Sequence, residues 1–142
     1  MVACNSKSPS GQIKKMQKRV DAVEHQVEVL YNKDFTELVN DYAALDTTIA
    51  RTKDIHNEMG LLQDYLQQFE NQRVEIKANV EFSRKQLSDL NDDIENGFFD
   101  NTTAWQYIQE EEKVLNGLEA RIKYFQDRFD GQKQVVKQLR KE

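Results

Sequence analysis

Apolar residues return at alternating steps of three and four along most of this chain. The first such series consists of Ile13, Met16, Val20, Val23, Val27 and Leu30. These steps keep side chains on one face of an α-helix, and a long series of them is typical of a helix that packs along another helix. The sequence has one Pro and five Gly, too few for the repeated turns that a sheet protein needs. The pattern therefore predicts an all-α protein.

Two phase changes interrupt the first half of this series. The first lies at residues 31–35, where Asp34 and Glu37 have the spacing of a capping box, and it predicts a kink or a short break. The second lies between Thr52 and Leu62 and contains Gly60. A glycine can end a helix, but it costs only about 1 kcal/mol inside one. The second change therefore indicates either a reversal of the chain or a kink.

A third interruption ends the long middle segment. Asn96-Gly97 is the strongest turn signal in the sequence. Thr103 and Gln106 match a capping box, which predicts that the last helix begins there. We therefore expect a turn at about residues 96–102.

Two architectures fit these segments. In the first, the chain reverses near Gly60 and forms an elongated antiparallel coiled-coil bundle of three long helices. In the second, residues 11–95 form one very long helix, which makes a hairpin with 103–141 and dimerises. Similar segment lengths favour the bundle, in which residues 1–10 are a flexible tether and 11–142 a single long-helix domain. It is also favoured by apolar residues of the middle segment that lie outside the main series, as expected for a helix with two neighbours: Leu61, Tyr65, Val74 and Phe82.

Charge is distributed unevenly. The chain has a net charge of −5, yet residues 1–19 hold five basic residues and no acidic ones. Residues 89–112 hold eight acidic residues and no basic ones. In the bundle, Lys14 to Arg19 would lie beside this acidic region, and the basic C-terminus would lie beside Asp54, Glu58 and Asp64. A basic face large enough for nucleic acid is absent from the sequence, so we expect no nucleic-acid partner.

Residues suited to catalysis or metal binding are scarce. The two histidines, His25 and His56, are 31 positions apart. Asp21 and His25 are spaced to share a helix face, but one such pair is more typical of a solvated face than of a metal site. No phosphate-binding loop, paired-cysteine motif or catalytic triad is recognisable. We predict that the protein is not an enzyme and holds no cofactor or metal.

The only cysteine has an informative position. Met1-Val2-Ala3-Cys4 resembles the lipobox of bacterial lipoproteins, in which the cysteine receives the lipid and the first position is usually Leu. A small polar stretch follows, as in the tether of such lipoproteins. The resemblance implies a small coiled-coil lipoprotein of the bacterial cell envelope, lipid-anchored at Cys4. Five basic residues would then lie nearest the membrane and strengthen attachment to an anionic surface: Lys7, Lys14, Lys15, Lys18 and Arg19.

Three large aromatic residues lie in or beside the predicted turn, within the acidic region: Phe98, Phe99 and Trp105. One interpretation is that they plug the end of the bundle, since burying an aromatic side chain contributes about 1.5–3 kcal/mol. The other is that Phe98 or Phe99 stays exposed and anchors a protein partner, which the acidic residues attract. We expect at least Phe99 to be structural.

Two functions follow from these features. The first is a structural or protein-interaction coiled-coil protein, attached to the envelope membrane through Cys4, that can also form a homo-oligomer. The alternative is a soluble helical chaperone or adaptor that clamps a client protein.

Overall fold

A computed structural model describes the backbone of residues 8–48 and 53–141 and the side chains of 8–45 and 57–140. The described residues form four α-helices and one π-helical segment, and no strand occurs among them. Helix α1 spans Pro9–Val29, the π segment Leu30–Phe35, α2 Thr36–Thr48, α3 Lys53–Glu95 and α4 Asn101–Lys141. Helix α1, the π segment and α2 are continuous, and we call them the N-terminal run. Together with α3 and α4 this run makes three helices, which confirms the predicted all-α bundle.

Helix α1 begins two residues earlier than predicted. The Gly11 backbone N–H donates a hydrogen bond to Ser8 Oγ at 3.0 Å, so Ser8 caps the helix. Pro9 follows as the first helical residue, a position where proline loses no hydrogen bond and its fixed φ suits the helix. The last residues of the predicted tether of 1–10 therefore belong to α1. Cys4 and Lys7 lie outside the described residues.

The phase change predicted at residues 31–35 is a π segment and not a break. The Thr36 hydroxyl donates a hydrogen bond to the Tyr31 carbonyl at 2.9 Å, which satisfies an acceptor within the wider turn. Asp34 does not form the expected capping box; its carboxylate instead accepts a hydrogen bond from Lys133 Nζ. Leu30, the first residue of the segment, and Leu38, after it, are both buried. The segment thus adds one residue and keeps the apolar series facing the core.

The reversal of the chain lies before Gly60. Gly60 is inside α3, so it marks neither a turn nor the end of a helix. Helices α2 and α3 are antiparallel, since Tyr42 contacts Gln63 at 3.4 Å while Tyr31, earlier in the run, lies 3.5 Å from the Arg73 guanidinium. The alternative of one continuous helix over residues 11–95 is therefore wrong. A glycine is tolerated here because it is exposed and nothing packs against it.

The turn between α3 and α4 is shorter than predicted and covers residues 96–100. Gly97 has a φ of 74°, and backbone hydrogen bonds from Gly97 to Ile94 and from Phe98 to Asp93 form a Schellman motif. Helix α4 begins at Asn101 because Asp100, rather than Thr103, is its cap. The Asp100 carboxylate accepts a hydrogen bond from the Thr103 backbone N–H at 2.7 Å. The predicted Thr103–Gln106 capping box is therefore wrong.

Packing divides the chain into two compact units. Unit 1 comprises residues 1–25 and 76–121, and unit 2 comprises 26–75 and 122–142. In unit 1, α1 runs parallel to α4: Gln12 contacts Glu112 and Arg19 contacts Glu119, each pair separated by 100 positions. The first residues of α1 and the α3–α4 turn consequently lie towards the same end of unit 1.

In unit 2 the N-terminal run is also parallel to α4, but the contacting residues are one position closer in sequence than in unit 1. Asp34 contacts Lys133 and Asp41 contacts Arg140, each pair separated by 99 positions. The difference from unit 1 equals the one residue that the π segment adds. Lys133 and Arg140 near the C-terminus thus pair with residues of the π segment and α2, whereas the basic C-terminus was predicted to lie beside Asp54, Glu58 and Asp64.

Aromatic side chains from all three helices meet in the core of unit 2. The Phe69 ring of α3 lies 5.6 Å from Phe35 of the N-terminal run. It also makes edge-to-face contacts with Phe125 and Phe129 of α4, at 5.1 and 5.2 Å. Phe69 of α3 therefore packs against both the N-terminal run and α4.

The apolar residues outside this series do not form a second packing face. Leu61, Val74 and Phe82 are exposed, and only Tyr65 is half-buried. Helix α3 does have two neighbours, as predicted, but Leu61, Val74 and Phe82 do not make the second contact, because residues such as Phe69 contact both neighbouring helices.

Candidate protein-interaction surface

The α3–α4 turn projects an apolar side chain into solvent. Phe98 follows Gly97 in the Schellman motif and has 69% of its surface exposed. Hydrogen bonds to Ile94 and Asp93 hold the backbone of the turn, so the ring is carried on an ordered segment. A rigid, exposed aromatic side chain can contact a partner at a small entropic cost.

The other two aromatic residues predicted for this region are less exposed. Phe99 is half-buried, and its ring lies 5.0 Å from that of Tyr107 in the second turn of α4. Trp105 is also half-buried. The three predicted residues thus do not act as a single plug, since Phe98 points away from the packed part of the turn. The sequence did not predict Tyr107 as part of this region, because Tyr107 lies outside the apolar series.

A groove with a volume of about 370 Å³ adjoins the turn in unit 1. Helices α3 and α4 line it together with Phe99 of the turn, and we call it the acidic groove. Its lining residues are Gln86, Asp89, Leu90, Asp93, Phe99, Tyr107, Glu110 and Glu111. Four carboxylates therefore stand beside two aromatic rings, which gives a surface suited to a ligand that is both basic and apolar.

Local electrostatics differ among these carboxylates. Asp89 forms an exposed ion pair with Lys85 at 2.7 Å. Partial burial raises the pKa of Glu111, and the adjacent charge of Glu110 raises it further. An arriving cation would relieve this unfavourable environment, since it would stabilise the charged form of Glu111.

The basic residues near the N-terminus differ in their exposure and in their contacts. Lys14, Lys15 and Lys18 are exposed on α1. Arg19 instead forms a two-pronged interaction with Glu119, at 3.1 and 2.6 Å, and lies 3.6 Å from Glu112. Its hydrogen bonds to Glu119 raise its pKa against the opposing effect of burial. Arg19 thus belongs to the α1–α4 contact, and of the five predicted basic residues the exposed ones that the structure describes are Lys14, Lys15 and Lys18.

Asp21, one of the two residues considered for metal binding, has a structural contact. Asp21 accepts a hydrogen bond from Arg84 at 2.9 Å, and the same guanidinium lies 2.6 Å from Glu24. Within the described part of the chain, no three His, Cys, Asp or Glu side chains are grouped so that they could hold a metal ion. None of the described helices has an apolar stretch long enough to cross a membrane.

Comparisons of the chain with protein-family models, with curated proteins and with solved structures give no significant match.

Proposed function

We propose that this chain is a non-enzymatic interaction protein of the bacterial cell envelope that binds a protein partner at the α3–α4 turn. The observation that supports this most directly is the exposed Phe98 ring beside the acidic groove. Interfaces gain most of their affinity from a few aromatic or similar anchors, and complementary charge speeds association and excludes wrong partners. The partner is therefore a protein with an apolar pocket or patch surrounded by basic residues.

Site-specific photo-crosslinking in cells tests this binding. A photoreactive phenylalanine analogue at position 98 should give an adduct with a defined protein, in which the crosslinked segment is basic. The matched control is the same analogue at position 74, because Val74 is 70% exposed and lies on α3 in unit 2. Equal adducts at the two positions, or adducts with segments that are not basic, would contradict the proposal.

The attachment to the membrane is a second part of the proposal, and it is supported by the lipobox-like residues that end at Cys4. In this proposal the lipid on Cys4 holds the protein, and Lys7, Lys14, Lys15 and Lys18 add attraction to anionic headgroups at about 1 kcal/mol each. Metabolic labelling with a fatty-acid analogue should mark the wild-type protein and leave Cys4→Ala unlabelled. Equal labelling of the two would sink the lipid assignment and favour a soluble adaptor.

A further inference from the structure

The surface of unit 1 next to the acidic groove carries two exposed apolar residues. Phe82 of α3 is 60% exposed, and Val114 of α4 is 46% exposed. At about 100° per residue, Phe82 lies within about 20° of Asp89 and Asp93 around the axis of α3. Val114 is seven residues after Tyr107 and so shares its face of α4. Both residues therefore extend the groove away from the turn.

These positions create an ordered pattern along the groove. Asp93, Phe99 and Tyr107 lie at the end next to the turn, Asp89, Glu110 and Glu111 lie farther along, and Phe82 and Val114 form a second, apolar end. Seven residues of α-helix separate Tyr107 from Val114, which corresponds to about 10 Å. This distance equals two turns of an incoming helix, the spacing at which a helix repeats the same face.

We propose that the acidic groove, extended by Phe82 and Val114, binds one basic amphipathic α-helix of a partner protein. The occupant presents two apolar side chains seven residues apart, with Lys or Arg between them on the same face. This proposal rests on the proposed function, because it specifies which element of the partner approaches the turn. Binding of an amphipathic helix in a groove between two helices is a common mode of recognition.

Charge complementarity favours a basic helix over three other occupants: a second copy of the chain, an anionic membrane surface and a nucleic acid. A second copy of the chain would bring like-charged carboxylates together if it used the same face, which is unfavourable. An anionic membrane surface or a nucleic acid would be repelled in the same way. A basic helix instead pairs with Asp93, Glu110 and Glu111 and covers the exposed rings.

Peptide titration tests the occupant. The probe is a fluorescent 14-residue helical peptide, about four turns long, with two leucines seven residues apart and lysines between them. Its control has the same composition with the leucines on opposite faces. The first peptide should bind at least tenfold more tightly than the control. Phe82→Ala should weaken that binding at least tenfold, whereas Val74→Ala on the exposed surface of unit 2 should leave it unchanged.

Three outcomes would overturn the proposal. Equal binding of the two peptides, with sensitivity only to Glu110→Gln and Glu111→Gln, would mean that charge alone is recognised. Insensitivity to Phe82→Ala would place the peptide elsewhere. Sedimentation that shows a dimer, lost in Phe82→Ala, would make a second copy the occupant. In each case a partner adduct at position 98 would still support the proposed function, and its absence would contradict that function separately.

Discussion

Leu30 and Leu38 are both buried although Leu38 follows Leu30 by eight positions, one more than a heptad repeat allows. The π segment, which begins at Leu30 and ends before Leu38, takes up the additional residue. Without it, the apolar series of α2 would rotate by about 100° away from the core. A local change in helix geometry thus preserves the contacts of the whole N-terminal run.

Deletion of Asn32, an exposed residue of the π segment, should therefore leave the bundle folded. The segment can become a regular α-helix, with Leu30 and the residue now seven positions later both facing the core. We expect a cooperative thermal transition within about 5 °C of wild type, which corresponds to about 1–2 kcal/mol in a chain of this size. Circular dichroism during heating measures it.

The control is deletion of Lys18, which is exposed in the regular part of α1. No extra residue is present there, so the deletion rotates the preceding part of the apolar series out of the core. Its melting temperature should fall far more than that of the Asn32 deletion. Equal losses in the two variants would show that the π segment does not absorb a register shift.

The same substitution should have opposite effects at two glycines. Gly97 has a left-handed backbone, so Gly97→Ala should cost about 1–2 kcal/mol. Gly117 lies inside α4, where an added Cβ meets no atom within 4 Å, and Gly117→Ala should stabilise the helix by about 0.5–1 kcal/mol. Chemical denaturation measures both values. Gly60→Ala should also stabilise, and a loss there would argue against its position inside α3.

The cap of α4 should depend on pH. Hydrogen bonds from the Thr103 backbone and hydroxyl lower the pKa of Asp100 in the folded protein. A lowered pKa contributes stability above the unfolded value of about 3.9, and that stability is lost as the pH falls through the folded value. Asp100→Asn keeps a capping oxygen but lacks the charge, so it should be less stable than wild type at neutral pH and should match wild type once the pH falls below the folded value.

Asp100→Ala removes the capping oxygen altogether and serves as the comparison. It should melt a few degrees below wild type at neutral pH and should remain below Asp100→Asn in acid, because alanine cannot cap a helix at any pH. Melting curves across the pH range would refute the cap if Asp100→Ala and Asp100→Asn coincided throughout.

Removing the charge of Glu111 should stabilise the protein at neutral pH. Burial and the charge of Glu110 raise the pKa of Glu111, so its ionised form is unfavourable in the fold. At pH values above that pKa, Glu111→Gln should raise the melting temperature by about 1–2 °C. This gain in melting temperature should vanish as the pH falls below about 4.3, the ordinary pKa of a glutamate, because Glu111 is then protonated in both the folded and the unfolded wild-type protein.

Glu110→Gln provides the comparison for this prediction. This substitution removes only the charge of Glu110, which is the smaller of the two causes of the raised pKa of Glu111. Its gain in melting temperature should therefore be smaller than that of Glu111→Gln. A larger gain from Glu110→Gln would mean that charge repulsion, and not burial, dominates at this site.

The apolar series allowed the core to be predicted from the sequence. Met16, Val20, Val27 and Leu30 are buried as expected, because steps of three and four fix which helix face is apolar. The phase change at 31–35 was also located correctly. Its form as a π segment was not predictable, since the same change of phase fits a kink, a break or an inserted residue.

Local signals were less reliable where tertiary contacts compete with them. Gly60 has turn propensity, but α3 continues through it because the burial of its neighbours Met59 and Leu62 outweighs a cost of about 1 kcal/mol. Asp34 has capping-box spacing, but Lys133 offers it a stronger, charged partner. The acidic groove was only partly predictable: the acidic residues and Phe99 were identified, whereas the exposure of Phe82 and Val114 depends on which face each helix turns to its neighbours.

The first turn of α1 and the α3–α4 turn share one end of unit 1, and this has a consequence for affinity. Only a few residues join Cys4 to Pro9, so a lipid on Cys4 would keep the Phe98 surface close to the bilayer. A partner in the same membrane would then meet this surface at an effective concentration of about millimolar, as for any short linkage. Under that confinement even a contact too weak to survive dilution in a test tube would be occupied most of the time.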